Sequence, residues 1–303
     1  MSTRTPLPAE ATWLPLVERA LAEDLGPGDV TSEAVIPADA KDVAVIEARE
    51  ALVVCGLPVA RAVFREVDPE LRFAAERAEG EPARAGQVLA TIEGATRSIL
   101  SAERTALNFL GRMCGVASLT RRYVDAVAGT RARIVDTRKT LPGWRVLDKY
   151  AVAAGGGQNH RMGLFDALLV KDNHVAAAGG VAEATRAARA GAAPHLHLQV
   201  EVESLADAVA AADAGADSLL LDNRTPEELA EIVAALGERL TLEASGGVDL
   251  ASVAAVARSG VHRISIGALT HSAPVADVAL EMQRDALARP APHGGSRTGG
   301  VAR

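Results

Sequence analysis

The sequence predicts an α/β protein in which a small α+β unit precedes a parallel (β/α) barrel of fewer than eight strands. Three observations carry that prediction. Past Gly115, short apolar runs alternate with helical stretches, the pattern of a parallel sheet covered by helices. Each run is closed by a polar residue or a glycine: Asp136, Lys171, Glu201, Asp222, Ser245 and Gly267. In a barrel those ends converge on one catalytic face. No Gly-x-Gly-x-x-Gly follows a first strand, as a doubly wound nucleotide fold would show.

In order along the chain, helical periodicity marks 14–24, 58–66 and 98–113, with strands expected at 43–48, 52–54, 71–75 and 88–92. The barrel strands are expected at 132–136, 167–170, 197–202, 218–221, 240–244 and 263–266, six or seven in all. Thr225-Pro226-Glu227-Glu228 reads as a capping box with proline at the first helical position. Ser204 and Asp249 are further N-cap candidates, and Gly215 and Gly260 stand where helices should stop. The expected division is 1–115 for the first domain and 116–288 for the barrel, with the last helix packing back on the first domain. Residues 289–303, rich in Pro, Gly and Ala, read as a disordered tail.

Composition narrows the function. Aromatics are 3% of the chain, too few for stacking platforms, and a net charge of −7 argues against a general polyanion surface, so no nucleic-acid partner is expected. Any anion site must be a local concentration of cations. Cys55 and Cys114 are too few for a disulfide framework. With no signal pattern and no unbroken apolar span, a soluble cytoplasmic protein and no membrane partner are expected.

The cations concentrate between Arg131 and Lys149, where six basic residues face two acidic ones for a local charge of +4. Such a run can be a solvated face, but Arg138 and Lys139 follow the apolar strand Ile134-Val135 and so stand at the barrel mouth. Gly155-Gly156-Gly157 then leads into Gln158-Asn159-His160-Arg161, either a flexible loop or a second cationic edge. Glu201 and Asp222 end apolar strands; they either pair with these cations or bind sugar hydroxyls and magnesium. Ser245-Gly246-Gly247 and Ile266-Gly267-Ala268 follow the last two strands, where barrels bind phosphate. His160 and His174 lack partners at metal-ligand spacing.

Taken in order, these pieces resemble one family. Asp136-Thr137-Arg138-Lys139-Thr140-Leu141-Pro142-Gly143, Asn159-His160-Arg161, Lys171-Asp172-Asn173-His174 and Leu221-Asp222-Asn223 resemble quinolinate phosphoribosyltransferases. So do Glu243-Ala244-Ser245-Gly246-Gly247, Gly267-Ala268-Leu269-Thr270-His271 and Glu103-Arg104-Thr105-Ala106-Leu107-Asn108. The resemblance implies an N-terminal α/β sandwich, an incomplete barrel and a homodimer with shared active sites. It implies that quinolinate and phosphoribosyl pyrophosphate combine into nicotinate mononucleotide, pyrophosphate and carbon dioxide, with Mg2+ and no organic cofactor. Lys139, Lys171, Glu201 and Asp222 would carry the chemistry. Arg104, donated by the partner subunit, would join Thr137, Arg138, His160, Arg161 and Lys171 around the dicarboxylate. Lys139 would lie towards pyrophosphate, and Glu201 and Asp222 near the ribose and a magnesium held largely through substrate and water. Ser245, Gly246, Gly247, Ile266, Gly267 and Ala268 would surround the 5-phosphate.

Other readings remain. A related transferase for another acidic ring would need fewer cations. A Schiff-base lyase would need Lys171 desolvated. Residues 88–94 resemble a carrier hairpin, although no lysine stands at its tip, and a catalytically dead phosphosugar binder would retain the pocket without turnover.

Overall fold

The computed structural model describes residues 6–283. Trp13 is buried and leads into α1 (Leu14–Leu25), which buries Val17 and Leu21. Asp29 caps α2 (Val30–Val35) by accepting the N–H groups of Thr31 and Ser32. Then come β1 (Lys41–Ala48), β2 (Leu52–Val53), α3 (Leu57–Val67), β3 (Arg72–Ala75), β4 (Pro82–Ala83) and β5 (Val88–Ala95). Strand β5 lies between β1 and β3, antiparallel to both. It is an interior strand of a sheet, which removes the carrier-hairpin reading.

The next element differs from the sequence expectation. Helix α4 runs Thr96–Ala126 without interruption, 31 residues in place of the shorter helix expected at 98–113, and so crosses the expected boundary at 115. Two glycines inside it serve close packing. A Cβ on Gly115 would sit 1.9 Å from the Pro274 carbonyl oxygen, and one on Gly111 would sit 2.9 Å from that of Ala276. The returning C-terminal segment lies against this bare backbone, with Ala276 N–H donating to Gly111 O at 2.9 Å.

The barrel follows as β6 (Arg133–Val135), α5 (Arg145–Ala154), β7 (Leu168–Val170), α6 (Asp172–Ala178), α7 (Val181–Gly191), β8 (Leu198–Val202) and α8 (Leu205–Asp213). It continues as β9 (Ser218–Asp222), α9 (Pro226–Leu236), β10 (Thr241–Ser245), α10 (Val253–Arg258), β11 (Arg263–Ser265) and α11 (Ala268–His271). Six parallel strands pair in the order β6-β11-β10-β9-β8-β7. The last strand thus pairs with the first, which requires the sheet to curl round, and the ladder is open only between β6 and β7. Gln158 bridges to Val135 at that opening.

The caps follow the sequence with one exception. Ser204 accepts Asp207 N–H, and Thr225 and Glu228 form the reciprocal box. Gly215 and Gly260 take positive φ just past α8 and α10. Asp249 instead closes a turn on Ala251 and Ser252, and α10 begins at Val253. At the C-terminal end, the expected last helix is replaced by β12 (Val278–Met282), antiparallel to β1. Its sequence Val-Ala-Leu-Glu-Met carries the two-residue period of a strand, and Val278, Leu280 and Met282 pack on the core. The tail at 289–303 lies outside the described residues.

Candidate active site

Side chains alternate across a strand, so residues two apart share a face. Leu169 and Lys171, Leu220 and Asp222, Glu243 and Ser245, and Ser265 and Gly267 accordingly line one cavity of about 780 Å³ at the C-terminal mouth of the barrel. Thr137, Arg138, Lys139, His160, Arg161, Glu201, Gly246, Gly247, Ile266 and Ala268 complete the expected set around it. Arg104 is not brought there. It projects from α4 with its side chain 66% exposed, 3.9 Å from Glu103.

One wall is cationic. Arg138 and Arg161 stand together there, and each has a buried Nε–H without a protein partner. Burial, and secondly the charge of Arg138, hold the Arg161 pKa below the ordinary arginine value. Arg161 is anchored by Nη1 donating to the Ala167 carbonyl at 2.9 Å. Two crowded cations form a wall whose natural complement is a dianion.

The facing wall is acidic and glycine-rich. Lys171 Nζ lies 3.0 Å from Glu201 Oε2, and its side chain remains 49% exposed. That is the reverse of the desolvated lysine a Schiff-base enzyme requires. Asp222 accepts the Asn223 amide at 2.7 Å. Asn223 adopts a left-handed φ of 53° and donates its N–H to Ser245 O at 2.9 Å. Gly246 packs over it so closely that a Cβ would sit 2.1 Å from Asn223 Oδ1. Only glycine fits, and the turns after β9 and β10 interlock.

His160 occupies the floor. Its Nδ1 accepts the Arg161 N–H at 2.8 Å, so the proton that the ring shares with Gln199 Oε1, also at 2.8 Å, sits on Nε2. Gln199 in turn donates to Glu243 Oε2 at 3.2 Å, while Glu243 Oε1 is buried without a hydrogen bond, 3.6 Å from His160 Nε2. Sequence reasoning assigns no role to Gln199 or Glu243. The available signal is a polar residue two positions before a strand-end polar residue, in a strand otherwise apolar. His174 is a helix-capping residue, its Nδ1 accepting the Lys171 N–H at 3.0 Å.

Residues 29–114 match the family described as quinolinate phosphoribosyl transferase, N-terminal domain, and residues 116–281 match its C-terminal domain. The chain belongs to the quinolinate phosphoribosyltransferase family. The two family segments meet inside α4, which serves both domains. A nicotinate-nucleotide pyrophosphorylase (carboxylating) of Mycobacterium leprae is 44% identical over 272 residues, spanning 88% of this chain and 95% of that protein. A quinolinate phosphoribosyltransferase (decarboxylating) of Nicotiana tabacum is 37% identical, spanning 89% and 82% respectively. The solved nicotinate-nucleotide pyrophosphorylase of Francisella tularensis superposes with a TM-score of 0.88 at 36% identity, covering 91% of this chain and 97% of that one.

Proposed function

We propose that this enzyme joins quinolinate to phosphoribosyl pyrophosphate with loss of carbon dioxide, forming nicotinate mononucleotide and pyrophosphate for NAD synthesis. The observation that carries the reading is the pair Arg138 and Arg161, which line one cavity together with Lys139 and Lys171. Quinolinate brings two adjacent carboxylates to such a wall. A ring with one carboxylate would leave part of it unpaired, at a cost in affinity.

Arg138, Arg161 and Lys171 hold the dicarboxylate, with Thr137 and His160 beside it. Lys139 meets the pyrophosphate. The pyridine nitrogen attacks the anomeric carbon and pyrophosphate departs, and Glu201 and Asp222 stabilise the positive charge that develops on the ribosyl group. The bond from C2 to its carboxylate then breaks. Its electron pair stays at C2, next to the quaternised nitrogen, until a proton replaces the lost carbon dioxide. Gly246, Gly247, Gly267 and Ala268 offer backbone N–H groups to the 5-phosphate, with Ser245 and Ile266 framing the turns.

The donor set suits magnesium. Glu201 and Asp222 supply carboxylate oxygens, and among the described residues no cluster of three or more His, Cys, Asp or Glu forms a cage for an ion. An ion that takes most of its ligands from substrate and water fits two carboxylates. Bound there, magnesium would neutralise the diphosphate charge.

The reading extends to a homodimer. Arg104 is exposed away from its own cavity, and Phe165, 77% exposed, stands with Leu164 beside Arg138 and Arg161. A partner covering that edge would bring its own Arg104 to the mouth. Among the described residues no helix is long and apolar enough to cross a membrane, and the reading places the enzyme in the cytoplasm.

The deciding experiment measures labelled carbon dioxide released from quinolinate carrying the label in its C2 carboxylate, with phosphoribosyl pyrophosphate present. Release is expected only with both substrates, lost with chelator and restored by magnesium. Turnover of nicotinate instead would replace the reading. Mixed dimers of Arg104→Ala and Lys171→Ala should regain activity that neither variant has, and failure despite proven exchange would keep Arg104 out of the partner's site.

A further inference from the structure

Helix α5 carries two adjacent buried charges, Asp148 and Lys149, that the reaction does not use. Neighbours on a helix point about 100° apart, and these two serve different loops. Asp148 accepts the Arg112 guanidinium from α4 at 3.0 and 3.1 Å, and also the Leu141 N–H at 3.3 Å. Arg112 in turn donates to the Thr270 carbonyl, and the Thr270 hydroxyl donates to the Lys139 carbonyl at 2.7 Å. The loop bearing Lys139 is therefore tied at that lysine's own carbonyl and again two residues further on.

Lys149 faces the other way. Its Nζ lies 2.5 Å from Asp136 Oδ1 and donates to the His160 carbonyl at 3.0 Å. Asp136 Oδ1 accepts the His160 N–H at 2.7 Å. With its amide nitrogen turned inward, Asn159 donates to Asp136 Oδ2 and to the Lys149 carbonyl, each at 2.9 Å. Both backbone polar groups of His160, next to Arg161, hang on this pair.

Ion pairs this deep are often matched in stability by apolar replacements of similar size. What an apolar pair cannot do is hold the carbonyl and N–H groups of two separate loops. We propose that Asp148 and Lys149 are positioning residues that set the two substrate-binding edges in register. Asp148 fixes the Lys139 edge and Lys149 fixes the His160–Arg161 edge, with one turn of α5 as the common rigid body. This rests on the reading that Lys139 serves the phosphoribosyl donor and Arg161 serves quinolinate.

That division gives the test, because a purely structural role would weaken both substrates alike. Asp148→Asn should raise KM for phosphoribosyl pyrophosphate about tenfold, a sub-ångström displacement being enough for such a loss, with a clearly smaller rise for quinolinate through Arg138 in the same loop. Lys149→Met should do the reverse. If either single variant fails to fold, Arg112→Met with Asp148→Leu, or Asp136→Leu with Lys149→Met, removes both charges of the pair and is measured in its place. Lys139→Ala and Arg161→Ala are run as references. If the references split by substrate and the helix variants shift both KM values in equal proportion, or neither, the positioning role is overturned. If the references themselves do not split, the assignment of the two edges fails instead.

Discussion

Two regions a few residues apart treat the same kinds of charge in opposite ways. Around α5, Asp148 and Lys149 are fully enclosed and matched by Arg112 and Asp136, with backbone groups taking further hydrogen bonds. In the cavity, Arg138 and Arg161 are partly enclosed and keep donors without partners. Burying a charge is costly in either place. It drives the Asp136 and Asp148 pKa values up and the Lys149 value down, against the opposing pull of their partners. The first region answers that cost internally and is rigid. The second leaves it unanswered, as the proposed dicarboxylate site requires.

The comparison breaks most visibly at Lys149. Lys149→Met leaves Asp136 buried and unpaired, and should destabilise the fold by about 3–5 kcal/mol, read as a lower midpoint in urea. Asp136→Leu with Lys149→Met should recover part of that loss, the His160 N–H and carbonyl having lost their partners. A double variant as unstable as the single one would mean that Lys149 matters for shape and not for charge.

Arg138→Ala should behave in the opposite sense. Among the described residues its Nε–H meets no acceptor, so the melting midpoint should hardly move. Activity should fall through quinolinate, by at least ~2 kcal/mol in kcat/KM, as the loss of a charge-assisted hydrogen bond predicts. A large drop in stability with little change in kcat/KM would put Arg138 among the structural charges.

The smallest effect belongs to a third kind of charge, paired but near water. Asp29 accepts N–H groups at the start of α2 and the hydroxyls of Ser32 and Ser101, and its pKa is lowered chiefly by Ser32. A depressed carboxylate stabilises above its unfolded value of 3.8, and that stability is lost as pH falls through the lower folded value. Asp29→Ala should therefore cost about 1 kcal/mol near neutrality, a usual figure for a lost cap, with the gap to wild type closing as the pH falls below that unfolded value. A gap independent of pH would mean that the cap works without its charge.

Several of these features are legible in the sequence by itself. Residues Lys171, Glu201, Asp222, Ser245 and Gly267 end apolar runs, and a parallel barrel necessarily gathers such ends at one mouth. Thr225 and Ser204 cap helices through contacts three residues away, and Gly215 ends one through local backbone geometry. All of this is written in neighbouring residues, where periodicity and capping chemistry operate.

Tertiary structure decided what depends on distant segments. Sequence periodicity ends the helix at 113, although Gly111 and Gly115 both lie inside α4. Their place inside α4 follows from a segment far along the chain, at Pro274 to Ala276, that needs bare backbone to pack against. The same segment continues into β12, whose pairing with β1 across the length of the chain no local window contains. In the sequence, Asp148 and Lys149 are only two members of a charged run. Only the placement of α5 between α4 and β6 turned them inward, because two enclosed charges of opposite sign are tolerable where folding has already brought Arg112 and Asp136 within reach.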